Sequence, residues 1–166
     1  RLSEKALFRT EDGQLFETVL MRYPTRNSVC LSSQVGCALG CALCATGKSG
    51  YIRDLSAGEL VAQLLHFERL LHKQGMRITN VVLMGMGEPL LNLEAVLQML
   101  SIVTDPSGLA LGARRFTIST AGVVPGIERL ADEDTGVRLA ISLHAPEDEL
   151  RSRLIPLNRR YPLGRL

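Results

Sequence analysis

The residues that could do chemistry come early: Cys30, Cys37, Cys41 and Cys44 are the only cysteines, and all fall inside CLSSQVGCALGCALCATG. The last three are spaced C-x-x-x-C-x-x-C. Clustered cysteines without a secretion signal point to metal binding or catalysis rather than to disulfides. A tetrahedral structural zinc site takes four protein ligands, commonly as two separated pairs, and no second pair follows Cys44. Zinc therefore fits poorly. Three thiolates on one short loop suit an iron-sulfur cluster, whose irons prefer sulfur. With three cysteines on a four-iron cluster, one iron keeps an open position for a substrate or cofactor. Buried, inert cysteines are the bland alternative. Gly36, Gly40 and Gly47 argue against it, because they let the loop fold tightly around the triplet.

Such a loop needs a scaffold. Upstream, LFRTEDGQLFETVLM holds Asp12-Gly13 between two alternating apolar runs, the signal of a β-hairpin. From Cys30 on, the pattern becomes apolar strand, loop, amphipathic helix, repeated about four times. Ser56 and Glu59 form a capping box, and Leu60, Val61, Leu64, Leu65 and Leu71 share one face of the helix that follows, to about Gln74. ITNVVLM (78–84) reads as a parallel strand buried on both faces. A helix follows Asn92, then the strand RFTIST (115–120), a short helix near Ile127 to Ala131, the strand VRLAISL (137–143) and a helix from Pro146. Strands alternating with helices imply a parallel sheet with right-handed crossovers.

Parity along those strands places side chains. Phe116 and Ile118 oppose Thr117 and Ser119; Leu139, Ile141 and Leu143 oppose Ala140, Ser142 and His144. In a barrel the oily face meets the outer helices and the polar residues open into the mouth at the strand C-termini. A closed eight-unit barrel takes ~250 residues, so four units form only part of one. An open doubly wound sheet satisfies the same periodicity. The expected division is a β-hairpin extension over 1–27 and a unit of βα repeats over 28–166.

Composition sets outer bounds. Nineteen Lys and Arg against seventeen Asp and Glu, with 46% apolar residues, describe an ordinary globular chain. Near-zero net charge neither demands nor excludes a nucleic-acid partner. Arg151, Arg153, Arg159, Arg160 and Arg165 make the C-terminal end basic, and a solvated tail is the expected reading. No apolar run approaches the ~18 residues that span a bilayer. No secretion signal opens the chain. A cytoplasmic protein without membrane contact is expected. The chain begins with Arg and stops at LGRL, so it reads as a piece of something longer.

The motifs around the cysteines resemble a known family. SSQVGCALGCALCATG, ITNVVLMGMGEPLLNLEAV, RRFTISTAGVVPGI and LAISLHAPEDELRSRLIPLNRRYP, in that order, are similar to the radical S-adenosylmethionine (radical SAM) enzymes that methylate adenine C2 in ribosomal and transfer RNA, the RlmN family, and to their C8-methylating relatives of the Cfr type. The resemblance runs from about Phe16 to Pro162. It implies a partial TIM-type (βα) barrel of the radical SAM kind in an α/β chain, preceded by the short hairpin. It also implies a 4Fe-4S cluster on Cys37, Cys41 and Cys44, with S-adenosylmethionine chelating the fourth iron.

Further roles follow from the resemblance. Gly87 and Glu88 of GMGEP match the segment that binds the cofactor's amino group. Ser119 of STAG, with Ser142, Leu143 and His144 of SLH, matches further cofactor contacts. Glu17 matches the family's proton acceptor. Cys30 matches the cysteine that resolves a protein-substrate crosslink through a transient disulfide. In the implied reaction, the reduced cluster splits S-adenosylmethionine into methionine and a 5′-deoxyadenosyl radical. That radical takes hydrogen from the S-methyl group of a later cysteine, and the resulting methylene radical adds to adenine. The implied partners are 23S rRNA, tRNA and an electron donor such as flavodoxin. No cysteine follows Cys44, so this chain alone is expected to cleave the cofactor without methylating adenine. A non-catalytic iron-sulfur or RNA-binding module, and a radical SAM enzyme with another substrate, are the competing readings.

Overall fold

The structure is a computed structural model that describes residues 3–166. Arg1 and Leu2, the start of the expected hairpin extension, lie outside the described residues. Strands β1 (Ser3–Arg9) and β2 (Leu15–Tyr23) pair antiparallel around the turn that holds Asp12-Gly13. β3 (Arg26–Cys30) pairs antiparallel with β2, so the hairpin continues the main sheet. The chain then forms β4 (Gln34–Gly36), α1 (Ala45–Lys48), β5 (Tyr51–Asp54), α2 (Ala57–His72), β6 (Asn80–Leu83), α3 (Leu93–Thr104), β7 (Phe116–Thr120), α4 (Val124–Asp132), β8 (Arg138–Ile141) and α5 (Asp148–Leu154). β3, β6, β7 and β8 are parallel neighbours, and the six-stranded sheet runs β1-β2-β3-β6-β7-β8. Four βα units therefore sit where the periodicity places them. Among the described residues the sheet is open.

Local signals explain the elements. The capping box forms: Glu59 N–H donates to Ser56 Oγ (3.2 Å) and Ser56 N–H to the Glu59 carboxylate (2.8 Å), which satisfies two of the free donors that open α2. Leu60, Leu64, Phe67 and Leu71 of that helix are fully buried against the outer face of the sheet, with Val29, Val81, Leu83, Phe116 and Ile118. Val96, Met99, Leu100 and Val103 of α3 complete the same core. Removing large side chains of this kind from water stabilises by about 1.5–3 kcal/mol each. The outer face is therefore the structural one, and the inner face is left for a site.

β8 departs from the parity expectation. Leu139, Ile141 and Leu143 remain 37–46% exposed instead of meeting helices. β8 is an edge strand here, and α4 contributes only a few buried residues, leaving a cleft between Ile127, Leu130 and Leu139.

The C-terminal arginines also depart from expectation. They form no tail: the chain after β8 folds into α5 and short 3-10 turns at Pro156–Arg159 and Leu163–Arg165, and Arg151 is completely buried. Sequence composition could not separate one interior arginine from four surface ones. No helix among the described residues is long and apolar enough to cross a membrane.

Candidate active site

The cysteine loop is the tip of a second, small hairpin that the periodicity did not reveal. β4 pairs antiparallel with β5, with a register shift at Val35/Gly36. Cys37 N–H donates to the carbonyl of Gly50 (2.8 Å) and closes the base of the loop. Gly36 has φ +76°, and a Cβ there would lie 1.9 Å from the Gly50 oxygen, so only glycine lets the two strands close. Arg53 of β5 fastens this hairpin to the rest: its guanidinium bonds Asp12 at the tip of the β1–β2 turn (2.9 Å) and Glu59 at the start of α2 (2.7 Å). That ion pairing holds both carboxyls below their usual range.

The loop rests against the GMGEP segment. Gly85 N–H donates to Leu31 O (2.9 Å), and Met86 N–H to Ser32 Oγ (2.8 Å). Glu88 N–H donates to Gln34 Oε1 (2.8 Å), while Gln34 Nε2 donates to Asp54 (2.7 Å). Gly87 has φ +97°, and a Cβ on it would stand 2.5 Å from the Gln34 side chain. Glycine here serves close approach as well as turning. Gln63 of α2 grips the other side of Ser32, accepting from its N–H and donating to its carbonyl, both at 3.0 Å. Buried hydrogen bonds of this density make the junction between cysteine loop and sheet rigid.

Glu88 is only 3% exposed, and its carboxylate bridges two segments. One oxygen accepts from Leu90 N–H (3.1 Å), capping the short 3-10 turn Pro89–Leu91, and the other accepts from Ala121 N–H (2.8 Å) beyond β7. Burial pushes its carboxyl above the usual range, and the backbone donors work against that. An ionised carboxylate has about four acceptor positions, so two bonds leave capacity for a cation. The helix-start role and a binding role are compatible in one side chain.

One cavity of about 380 Å³ gathers most of the sequence-predicted residues. Cys37, Cys41 and Cys44 line it, together with Gly87, Glu88, Ser119, Ser142 and His144. Ser119 and Ser142 come from adjacent strands on the inner face, as parity requires, with hydroxyl oxygens 3.3 Å apart. His144 reaches the cavity through a left-handed backbone (φ +59°). Leu143 does not line it: its side chain is exposed, and its carbonyl accepts from Arg151 Nε (3.1 Å) and Ala145 N–H (2.8 Å).

Glu17 and Cys30 lie outside the cavity wall but on the same sheet face. Val19 pairs with Cys30, so Glu17 is two residues further toward the strand ends that carry the site. Its carboxylate pairs with Lys5 at 2.8 Å. The Cys30 thiol is half-buried; burial raises its pKa, opposed by a hydrogen bond with the backbone of Met84, which itself lines the cavity. The thiolate, not the thiol, is the nucleophile. Alkylation of Cys30 by iodoacetamide should therefore lag behind that of an unfolded control at pH 8 and catch up only as pH rises beyond the ordinary thiol range. Rates followed by peptide mass spectrometry check this; equal rates at pH 8 would contradict the buried position. All four cysteines are free, so the disulfide expected of Cys30 is not formed. The three other cysteines belong to the loop, and the partner that the resemblance implies is a later cysteine.

The donor set fits a cluster better than a single ion. Among the described residues no three His, Cys, Asp or Glu side chains are arranged to hold one metal ion. Thiolates bound to separate irons need not meet at one point. Burial raises the pKa of Cys37 and Cys41, and repulsion from the neighbouring thiols adds to the rise at Cys41. Cationic iron between the sulfurs would remove both penalties.

Sequence reasoning missed Arg151. Its guanidinium donates to Ala121 O (2.6 Å), Asn158 Oδ1 (2.6 Å), Leu143 O (3.1 Å) and Ser142 O (3.4 Å). It thus ties the ends of β7 and β8, where the predicted cofactor loops begin. Burial lowers its pKa, opposed by Asp148 and Cys41. A sequence signal existed only as one arginine among five in a basic segment.

The chain is similar to known proteins over almost its whole length. A probable dual-specificity RNA methyltransferase RlmN of Chloroflexus aurantiacus is 52% identical over 99% of this chain and 45% of its own length. The dual-specificity RNA methyltransferase RlmN 1 of Myxococcus xanthus is also 52% identical, over 99% of the chain and 46% of its own. The chain spans about half the length of these relatives. The crystal structure of a radical SAM methyltransferase from Sphaerobacter thermophilus superposes with a TM-score of 0.97 at 57% identity, covering 99% of this chain and 48% of that one. The Radical SAM superfamily matches residues 31–163, from just before the cysteine loop to the final turn. Because that match takes in every strand of the parallel sheet after β3 and all of the cysteine loop, the chain belongs to the radical SAM superfamily.

Proposed function

We propose that this chain is the cofactor-binding half of a cytoplasmic enzyme that methylates C2 of an adenosine in 23S rRNA and tRNA. One observation carries the reading: the cysteine loop, GMGEP, STAG and SLH, far apart in sequence, line a single cavity. The names of the half-identical relatives support an RNA substrate.

Cys37, Cys41 and Cys44 would hold a 4Fe-4S cluster, and S-adenosylmethionine would occupy the cavity beside it. When bound, the cluster supplies the single electron that splits the sulfonium carbon–sulfur bond. The chain's own contribution is binding, orientation and exclusion of water. Glu88 would receive the ammonium of the cofactor's methionine part with its remaining lone pairs, and its bonds to Leu90 and Ala121 fix the carboxylate before the ligand arrives. Gly87 leaves room for backbone approach. Ser119 and Ser142 would offer adjacent hydroxyls to the sugar, and His144 would close the far side. The oily lining from Leu39, Leu43 and Leu83 would keep water from a reactive carbon centre. Glu17, on the neighbouring strand, would accept the adenine ring proton. Cys30 would release the product.

Transfer is tested in a chimera in which this chain replaces the matching segment of the Chloroflexus aurantiacus relative. Anaerobic incubation with labelled S-adenosylmethionine and a 23S rRNA fragment should give labelled 2-methyladenosine by mass spectrometry. A product labelled at C8 would move the reading to the other branch of the family. A chimera that cleaves the cofactor but leaves RNA unlabelled, alongside an active parent, would overturn the RNA reading.

A further inference from the structure

We propose that the outer side of the cysteine loop is the docking surface for an acidic one-electron donor protein, with Lys48, Arg153, Arg159 and Arg160 as its cationic rim. The inference rests on the proposed cluster, because only a redox centre behind this loop needs such a partner.

The loop has two sides of different chemistry. Leu39 and Leu43 line the cavity, whereas Ala38, Gly40, Ala42 and Ala45 do not and are exposed to solvent. The covering over the thiols is thus made of methyl groups and bare backbone. No charged or aromatic side chain occurs between Cys37 and Gly47. A partner surface can approach the sulfurs as closely as the main chain allows. The loop is also braced: Ala42 N–H donates to Leu154 O at the end of α5 (2.9 Å), and Cys37 N–H to Gly50 O.

The segments next to this thin cover carry positive charge. Lys48 ends α1 on one side of the loop. Arg153 precedes the Leu154 whose carbonyl holds Ala42, and Arg159 and Arg160 follow in the turn packed on α5. All four are exposed. The ion pairs among the described residues engage Lys5, Arg22, Arg53 and Arg129, and none of these four. The nearby acid Asp148 is turned to Leu163 N–H (2.8 Å) and Asn158 (2.9 Å), and Glu149 makes no ion pair with Arg153 among the described residues. The rim therefore keeps its charge for a partner.

A small apolar surface flanked by exposed cations that make no ion pair among the described residues matches the needs of electron transfer. Such complexes are brief and small, and charge sets their encounter rate more than their area does. One electron leaves the donor and one enters the cluster, with no bond made and no proton moved. RNA phosphates would feel the same charges, but base recognition uses aromatic platforms and polar side chains, and the loop surface offers neither.

The test uses a reduced-competent bacterial flavodoxin as the acidic donor. Its binding to the chain, measured by calorimetry, should weaken as salt rises, and Arg153→Glu with Arg159→Glu should weaken it at least tenfold at low salt. Lys48→Glu alone should weaken it by a smaller factor. After cluster assembly, the double variant should accept electrons from flavodoxin more slowly while dithionite reduces it as fast as the parent. Flavodoxin affinity unchanged by charge reversal would overturn the proposal, as would loss of 23S rRNA retention with flavodoxin binding intact. Failure to assemble any cluster would instead strike the proposed function, since flavodoxin binding to the unloaded chain is read separately.

Discussion

Replacing Arg151 with methionine should destabilise the chain by about 2–4 kcal/mol, one of the largest effects available from a single side chain. Methionine fills part of the space but donates nothing. Leu143 O keeps its bond from Ala145 N–H, whereas Ala121 O and Asn158 Oδ1 lose donors at 2.6 Å inside the fold. Each buried acceptor left unpaired costs about 1–3 kcal/mol. Removing an interior charge without a carboxylate bonded to it returns part of that. Lysine should not rescue, because a point charge on a flexible stem cannot reach the ends of two strands at once as the planar fork does. The ends of β7 and β8 carry Ser119 and Ser142, so S-adenosylmethionine binding should weaken together with stability. Urea unfolding, with calorimetry of cofactor binding on the folded variant, measures both. A loss below about 0.5 kcal/mol, ordinary for a surface position, would show that Arg151 is not the tie described.

The second large effect is all or none. Anaerobic reconstitution with iron and sulfide should give a brown protein with about four irons per chain, and Cys41→Ala should abolish the colour while leaving the fold intact. The fold survives because Cys41 is half-exposed on a loop whose base is closed by Cys37 and Gly50. Retained secondary structure by circular dichroism, with no visible absorption and no bound iron, is the expected result. Stoichiometric zinc in a folded parent protein, without sulfide-dependent colour, would remove the cluster. Cys30→Ala is the control: Cys30 lies outside the cavity wall, and iron content should be unchanged.

The sequence by itself determined everything that depends on near neighbours. The capping box of Ser56 and Glu59, the turn at Asp12-Gly13, the β-branched run before Met84 and the period-two alternation of RFTIST are satisfied within a few residues of chain. Each appears in the structure at or within a few residues of its expected limits. The cysteine spacing belongs to the same class, since three thiols on one short loop stay near one another whatever surrounds them. The tertiary structure decided what depends on backbone groups brought together from distant segments. Glu88 could be read as a helix start or a ligand; only the approach of Ala121 N–H shows that it joins two loops. Arg151 was indistinguishable from its basic neighbours until the carbonyls ending β7 and β8 converged on it. The β4–β5 hairpin escaped notice because it is held by Gly36 against Gly50 and by Gln34 against Glu88, contacts that no local propensity encodes. Periodicity reports which face a side chain takes, whereas a carbonyl or N–H, the same at every residue, acquires a partner only when the fold supplies one.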